Sequence, residues 1–585
     1  MRWRNKADRW LAFEELEDTL KEQLRAIEKD EQLLEDHFYK DLQFGTGGMR
    51  GEMGPGTNRI NIYTVRRAAQ GLAQYMEDQG RKAMKRGVVI AFDSRHLSSQ
   101  FALEAAKTLG KRGIQVYLFD ELCPTPVLSF AVRHLHAYAG VMITASHNPP
   151  EYNGLKLYGE DGGQLPPLAA GILTEYIQRS GNELLIETEE AQQLLKQGRL
   201  IYIGEEINQA YIHVLKTIQL QQQNNKDLAI VFTPLHGTGN KLIQRGLTAF
   251  GFEKVTVVKE QEAADPDFST VQSPNPEEHE AFKLAIRYGE KAGADLLIAT
   301  DPDADRLGLA VRNHQNEYVV LTGNQTGALM LHYLLEKKKQ QGTLSSNGVL
   351  IKTIVTSELG RAIADHYGVT TIDTLTGFKF IGERIKQLEQ AGKQTFLFGY
   401  EESYGYLADA FVRDKDAIQS ALLAAEMAAY YKKQGQSLYD QLLVLFETYG
   451  FYQESTYSLS IKGRDGEESM LALFNTLRSA PPKWLNEVQV TEMEDYASGQ
   501  RLYLSTGDRT PIHLPKANVL KFKLADGSWV CIRPSGTEPK VKFYFAVKEA
   551  TWSTSQKKLA RLEKKVLEMV GERNILSALK QIEHA

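Results

Sequence analysis

Four short segments carry residue types that handle phosphate or a metal, and their order along the chain is informative. They read Thr144-Ala-Ser-His-Asn-Pro-Pro150, Asp301-Pro-Asp-Ala-Asp-Arg306, Gly399-Tyr-Glu-Glu-Ser-Tyr-Gly405 and Arg533-Pro-Ser-Gly-Thr-Glu-Pro-Lys540. The first exposes a serine in a loop of turn formers. The second alternates three carboxylates, which an extended loop would turn toward one hard cation. The third pairs glutamates with a hydroxyl, acceptors and donor for a polyhydroxy substrate. The fourth joins a guanidinium to hydroxyls and a glycine, a set that can grip a phosphate. Together they describe a phosphorylated serine, a divalent metal, a polyhydroxy substrate and a second phosphate.

Each segment also has a plainer reading. Ser146 alone is a turn serine, and no Gly-x-Ser-x-Gly elbow surrounds it. The aspartates alone are a solvated acidic turn. A calcium EF-hand fails on register, because its sixth position is Arg306 and its twelfth Arg312. Three carboxylates with an open position suit Mg2+, which favours oxygen ligands and phosphates. Glu401 and Glu402 could suggest a glycosidase pair, but chain neighbours point apart and cannot flank one bond. The 533–540 loop lacks P-loop spacing, and Gly45-Thr-Gly-Gly-Met-Arg-Gly51 fits a dinucleotide fingerprint poorly.

The surrounding elements place these loops. Apolar runs at 88–92, 115–119, 140–143, 229–232, 255–258, 295–299, 349–355 and 395–398 alternate with helical stretches such as 100–112. That alternation predicts α/β units with buried, mostly parallel strands. Ser146, Asp301 and Glu401 each follow such a run. Ligands of open α/β sheets bind beyond the carboxyl ends of strands, so three domains would each present one loop to a shared cleft. Residues 9–39 read as one helix packed on the first domain, with Leu16, Leu20, Leu24 and Ile27 forming an apolar stripe. Beyond about 445, charged helical stretches surround a strand-like Trp529–Ile532, which predicts a smaller α+β domain.

At 585 residues the chain exceeds one core and predicts about four domains. Its 42% hydrophobic and 24% charged residues are ordinary for a globular protein, and a net charge of −5 points to neither nucleic acid nor an acidic membrane. Two distant cysteines, Cys123 and Cys531, predict no disulfide framework. With a charged N-terminus and no long apolar run, the chain reads as cytoplasmic.

The four motifs, their order and the Thr376-Gly-Phe-Lys379 loop resemble the α-D-phosphohexomutase superfamily, in the branch that holds bacterial α-phosphoglucomutases and phosphopentomutase-type enzymes. The resemblance implies three similar α/β domains with mixed or parallel sheets and a C-terminal α+β domain around a central cleft. The expected spans are an N-terminal helical extension over 1–40 and domains over 41–205, 206–321, 322–445 and 446–585. It implies that Ser146 carries the phosphoryl group, and that Asp301, Asp303 and Asp305 bind one Mg2+ with an oxygen of phosphorylated Ser146. It assigns sugar hydroxyls to Glu401 and Ser403, the substrate side to Lys379, and the non-reacting phosphate to Arg533, Ser535, Gly536 and Thr537. Arg50 and Lys156 would lie near the transferred phosphate. Lys156 and His147 are both candidates for acid–base work, and Arg306 would contact the phosphoserine.

The implied reaction interconverts glucose 1-phosphate and glucose 6-phosphate through glucose 1,6-bisphosphate, with small-molecule sugar phosphates, and neither nucleic acid nor membrane, as expected partners. Mannose or pentose phosphates would use the same mechanism. A bisphosphate synthase, a phosphatase and a catalytically silent sugar-phosphate-binding protein are the further alternatives.

Overall fold

The computed structural model describes residues 2–44, 48–221, 227–460, 463–534 and 540–572. Contacts divide the chain into two compact units. One is Met1–Ile351 with Gly377–Tyr439, and the other is Lys352–Thr376 with Asp440–Ala585.

The first unit opens with three helices, Arg2–Leu11, Asp18–Ile27 and Glu31–Phe38, in place of the single helix expected over 9–39. Capping causes the breaks. Glu17 Oε2 accepts from Leu20 N (2.9 Å) and Asp30 Oδ1 from Leu33 N (3.0 Å), so each starts a new helix. The breaks turn Trp10 inward, where it meets Phe38 and Tyr63 edge-on at 5.7 and 5.3 Å. Each such aromatic pair adds about 0.5–1.5 kcal/mol beyond its burial.

The first sheet contains β1 (Met49–Glu52), β2 (Val88–Phe92), β3 (Val116–Phe119), β4 (Ala139–Ile143), β5 (Tyr152–Tyr158) and β6 (Leu200–Ile203), ordered β1-β5-β4-β2-β3-β6. The second contains β7 (Ile230–Thr233), β8 (Val255–Val257), β9 (Leu296–Thr300), β10 (Leu307–Arg312) and β11 (Tyr318–Val320), ordered β11-β10-β9-β7-β8. A third domain follows with β12 (Gly348–Thr353), β13 (Thr370–Thr374), β14 (Thr395–Glu401) and β15 (Gly405–Leu407). Strands β2, β4, β7 and β9 are buried throughout, as sheets covered by helices on both faces require.

Pairing is parallel within β4-β2-β3-β6 and within β9-β7-β8. The strand that follows each motif runs antiparallel to the strand before it: β4 with β5, β9 with β10, and β14 with β15. The sheets are therefore mixed, and all three motif loops are hairpin connections rather than strand-to-helix loops. Chain order alone cannot reveal this, because a buried strand has the same composition in either direction.

In the second unit, Ile354 N continues β12 by donating to Thr374 O of β13 (2.9 Å). The rest is an eight-stranded antiparallel sheet, the strand layer of the α+β domain expected there. Helices Gly463–Ser479 and Trp552–Glu572 accompany it, and Phe474, Phe522, Phe543, Phe545 and Leu562 lie in its core. Alternation such as Lys540-Val-Lys-Phe543, with half-buried lysines between buried apolar residues, is a strand with one face toward solvent. Among the described residues, no helix is long and apolar enough to cross a membrane.

Candidate active site

Sheet register brings the first group together. Lys156 on β5 pairs with Met142 on β4, and Gly154 on the same strand pairs with Arg50 on β1. The 144–151 connection leaves β4 directly beside them. Ser146 is 4% exposed and left-handed (φ 53°), a strained conformation for a residue with a side chain. Its N–H donates to Thr144 Oγ1 (2.8 Å), and Arg50 Nη1 donates to Asn148 Oδ1 (2.8 Å).

Ser146 Oγ donates to Asp301 Oδ2 at 2.7 Å and lies 3.2 Å from His147 Nδ1. Asp301 begins the β9–β10 turn. Its Oδ1 accepts from Asp305 N (3.1 Å) and Arg306 N (2.9 Å), which closes the turn around left-handed Ala304 (φ 53°). The three aspartates thus converge through a tight turn, not through the alternation of an extended loop. Gly237 makes room for it, since a Cβ there would sit 2.4 Å from Pro302 Cα.

Asp301, Asp303 and Asp305 are buried and offer one carboxylate oxygen each within 4.8 Å of one another. Lys156 Nζ donates to Asp303 Oδ2 (2.7 Å) and Asp305 Oδ2 (3.0 Å), and Thr125 Oγ1 donates to Asp303 Oδ2 (2.9 Å). Asp303 Oδ1 and Asp305 Oδ1 are buried with no hydrogen-bond donor. Buried carboxylate oxygens of this kind call for a cation, so the donor set fits a hard metal ion.

The electrostatics follow from burial and neighbours. Burial, then the charges of Asp303 and Asp305, push the Asp301 carboxyl well above the usual carboxylate range. Burial and Asp305 also push Asp303 up, but the Lys156 ammonium outweighs them and holds it low. Asp305 is held low against burial by Lys156, Lys415 and Arg306. Burial would lower Lys156, yet Asp303 and Asp305 keep it raised. Burial, with Arg306 and Arg50 adding to it, holds His147 well below its ordinary value, as a neutral imidazole.

Glu401 ends β14, and the 402–404 turn leads into β15 with Tyr404 left-handed (φ 64°). Glu401 Oε1 accepts from Gly377 N (2.8 Å), which ties it to the start of the Phe378–Ala391 helix that carries Lys379. Burial raises the Glu401 carboxyl to about 7 against the charge of Lys415, and burial lowers the Lys379 ammonium to about 8 against Glu383. Ser403 is half-buried in the turn. Arg306, within the metal turn, directs its guanidinium to Glu277.

Three residues that sequence reasoning missed join this cluster. Lys415 Nζ lies 3.1 Å from Asp305 Oδ2, and Gly405 gives its stem passage, since a Cβ there would sit 2.2 Å from Lys415 Cδ. Thr125 holds Asp303 twice, its N–H donating to Asp303 O (2.9 Å). Arg95 donates to carbonyls of the serine loop. Asp93-Ser-Arg95 and Cys123-Pro-Thr125 follow β2 and β3 as Ser146 follows β4, and that shared position was the available signal. In the second unit, half-buried Arg533 has its guanidinium 5.9 Å from the Tyr544 ring. Ser535, Gly536 and Thr537 lie outside the described residues.

A serine bonded into a buried carboxylate triad, on three mixed α/β/α sheets followed by an antiparallel C-terminal domain, defines the class. Models of phosphoglucomutase/phosphomannomutase α/β/α domains I, II and III and of the C-terminal domain match residues 41–183, 209–315, 322–449 and 485–568. A phosphoglucomutase of Staphylococcus haemolyticus (strain JCSC1435) is 41% identical over 88% of this chain and 91% of its own length. One of Staphylococcus aureus (strain USA300) is 40% identical over 87% and 90%. The open form of parafusin, a phosphoglucomutase of Paramecium, shares the fold with a TM-score of 0.68 at 17% identity, covering 92% of this chain and 96% of its own. The chain belongs to the phosphoglucomutase/phosphomannomutase family of the α-D-phosphohexomutase superfamily.

Proposed function

We propose that the chain is a phosphoglucomutase, interconverting glucose 1-phosphate and glucose 6-phosphate through phosphorylated Ser146 and glucose 1,6-bisphosphate. The observation that carries this reading is the 2.7 Å bond from Ser146 Oγ to Asp301, inside a triad with two donor-less oxygens. The activity named for relatives about 40% identical over most of the chain supports the same reaction.

Asp301, Asp303 and Asp305 would hold one Mg2+ together with a phosphoryl oxygen on Ser146. Bound there, Mg2+ supplies positive charge that stabilises the transferring phosphoryl group. In the first transfer, a sugar hydroxyl oxygen bonds to phosphorus as the Ser146 Oγ–P bond breaks. The hydroxyl loses one proton and Ser146 Oγ gains one, so atoms and charge balance. His147 Nδ1, 3.2 Å from Oγ, exchanges the serine's proton. Lys156, with two of its three N–H groups on the triad, serves the sugar hydroxyl with the third. Arg50 and Arg306 offset the phosphoserine, which carries nearly two negative charges. Glu401 and Ser403 bind sugar hydroxyls, and Lys379 faces the substrate phosphate. Arg533, Ser535, Gly536 and Thr537 take the phosphate that is not transferred. The bisphosphate then turns over and returns its other phosphate to Ser146. Domains over 41–205, 206–321, 322–445 and 446–585 would carry these four groups in order.

The test compares glucose, mannose and ribose 1-phosphates by kcat/KM, with Mg2+ and trace glucose 1,6-bisphosphate. A preference for glucose 1-phosphate, with phosphate found on Ser146 by mass spectrometry, is expected. A preference for another sugar corrects the substrate, and Ser146→Ala with wild-type turnover refutes the phosphoserine mechanism.

A further inference from the structure

Arg95 follows β2 and is 3% exposed. Its Nη2 donates to Ser146 O (2.6 Å) and to Asn148 O. Its Nη1 donates to Pro149 O (2.7 Å) and Tyr152 O (3.0 Å). One guanidinium thus gathers three carbonyls of the connection that carries the serine and the carbonyl of Tyr152, which opens β5. The arginine is itself held on two sides. Asp93 Oδ1 accepts from Arg95 N (3.1 Å), and Asp93 Oδ2 lies 3.6 Å from Nε. On the other side the guanidinium lies 4.9 Å from the ring of Phe268, which is 1% exposed and belongs to the domain that bears the aspartate triad. Beside it, His96 Nε2 meets Asp267 Oδ1 at 2.7 Å.

The loop needs such a hold. Ser146 is left-handed, which costs about 1–3 kcal/mol and persists only where surroundings fix it. The ladder between β4 and β5 ends at Ile143 and Leu155, so strand pairing does not reach the serine. A buried carbonyl left without a donor costs about 1–3 kcal/mol, so the buried Ser146 and Asn148 carbonyls on this cation resist any other loop conformation. A lysine cannot replace it, because a point ammonium with three donors lacks the planar fork that spans the four.

We propose that Arg95 is a positioning residue for Ser146. It holds the serine left-handed with Oγ on Asp301, and the Phe268 ring ties that hold to the metal-bearing domain. The inference rests on the reading of Ser146 as the phosphoryl carrier.

The experiment uses full-length wild type, Arg95→Lys and Arg95→Ala. It reads kcat and KM separately with glucose 1-phosphate, hydrogen exchange across 139–158, and rescue of Arg95→Ala by millimolar guanidinium. Arg95→Lys is expected to lose roughly 100-fold in kcat, the scale of a small misplacement of a reacting group, with KM changed less than about threefold. Exchange over 144–151 rises by at least about tenfold while β4 and β5 stay protected. Guanidinium restores part of the lost kcat, and methylammonium does not. A kcat for Arg95→Lys within about threefold of wild type overturns the proposal. So does loss of protection across the whole sheet in both variants, which marks a general folding role. A wild type without mutase turnover refutes the proposed reaction instead, while the exchange pattern still reports whether Arg95 holds the loop.

Discussion

Lys379 offers a quantitative test of how the substrate phosphate is held. Burial lowers its ammonium to about 8, with Glu383 opposing only in part. A phosphate ligand requires the charged form, so affinity should scale with the protonated fraction. That fraction is about 0.9 at pH 7 and about 0.1 at pH 9, so the dissociation constant should weaken roughly tenfold, or about 1.4 kcal/mol. Folding stability moves the other way. The folded value lies below the ordinary 10.5. Between about 8 and 10.5 the folded chain therefore binds fewer protons than the unfolded chain, and this group adds stability as pH rises through that window. The assay is calorimetric titration of Ser146→Ala with glucose 6-phosphate from pH 7 to 9.5, in which turnover cannot confuse binding. The same titration in the Lys379→Arg background should be flat, because guanidinium stays charged. Lys379→Met should bind at least about tenfold more weakly at pH 7 and also show no slope. A flat profile with Lys379 present, or an unchanged slope with arginine in its place, refutes the assignment.

Two further outcomes follow from the charge cluster. Asp301→Asn keeps the shape that accepts Asp305 N and Arg306 N but removes one of three crowded carboxylates. Its metal-free form should melt no lower than wild type, while the gain of about 2.7 kcal/mol expected from Mg2+ at a hundred times its dissociation constant disappears. A wild-type thermal response to Mg2+ would count against the triad. Lys415→Met removes one of two cations on buried Asp305, which keeps Lys156 at 3.0 Å, and should destabilise the fold by about 1.5–3 kcal/mol in urea titration, the scale of one hydrogen bond to a charged group. A loss below about 1 kcal/mol would place Lys415 outside the charge balance of the site.

The legible part of the site was the part carried by local position. Ser146, Asp301 and Glu401 each follow an apolar run, and strand ends are where α/β sheets put their chemistry. The direction of the next strand was not legible, because β5, β10 and β15 are set by pairing and not by composition. Residues that act across long separations were also hidden. Arg95 reaches carbonyls 51 to 57 positions away and Thr125 a carboxylate 178 away, and apart from their place after a strand neither differs locally from an ordinary polar loop residue. The three N-terminal helices were missed because a continuous apolar stripe outweighed two acidic caps, Glu17 and Asp30. In the C-terminal unit, half-buried charges of antiparallel strands, such as Lys540 and Lys542, looked like helical surface.

The three motif hairpins share one structural expense. Ser146, Ala304 and Tyr404 are all left-handed without being glycine, at φ 53°, 53° and 64°. Strain of about 1–3 kcal/mol at each survives only where neighbours over-determine the turn, and here each hairpin supplies part of that constraint to another. Asp301 closes the turn around Ala304 with one oxygen and holds Ser146 Oγ with the other. Tyr404 O accepts from Leu307 N (3.0 Å), the first residue of β10 after the metal turn. Lys415 reaches Asp305 across the face of Gly405, the residue that follows Tyr404. The serine, the carboxylates and the sugar-facing turn are therefore mutually braced through the metal hairpin. A substitution that relaxes this central turn should disturb all three, because Asp301, Asp305 and Leu307 each carry a bond to a neighbouring hairpin.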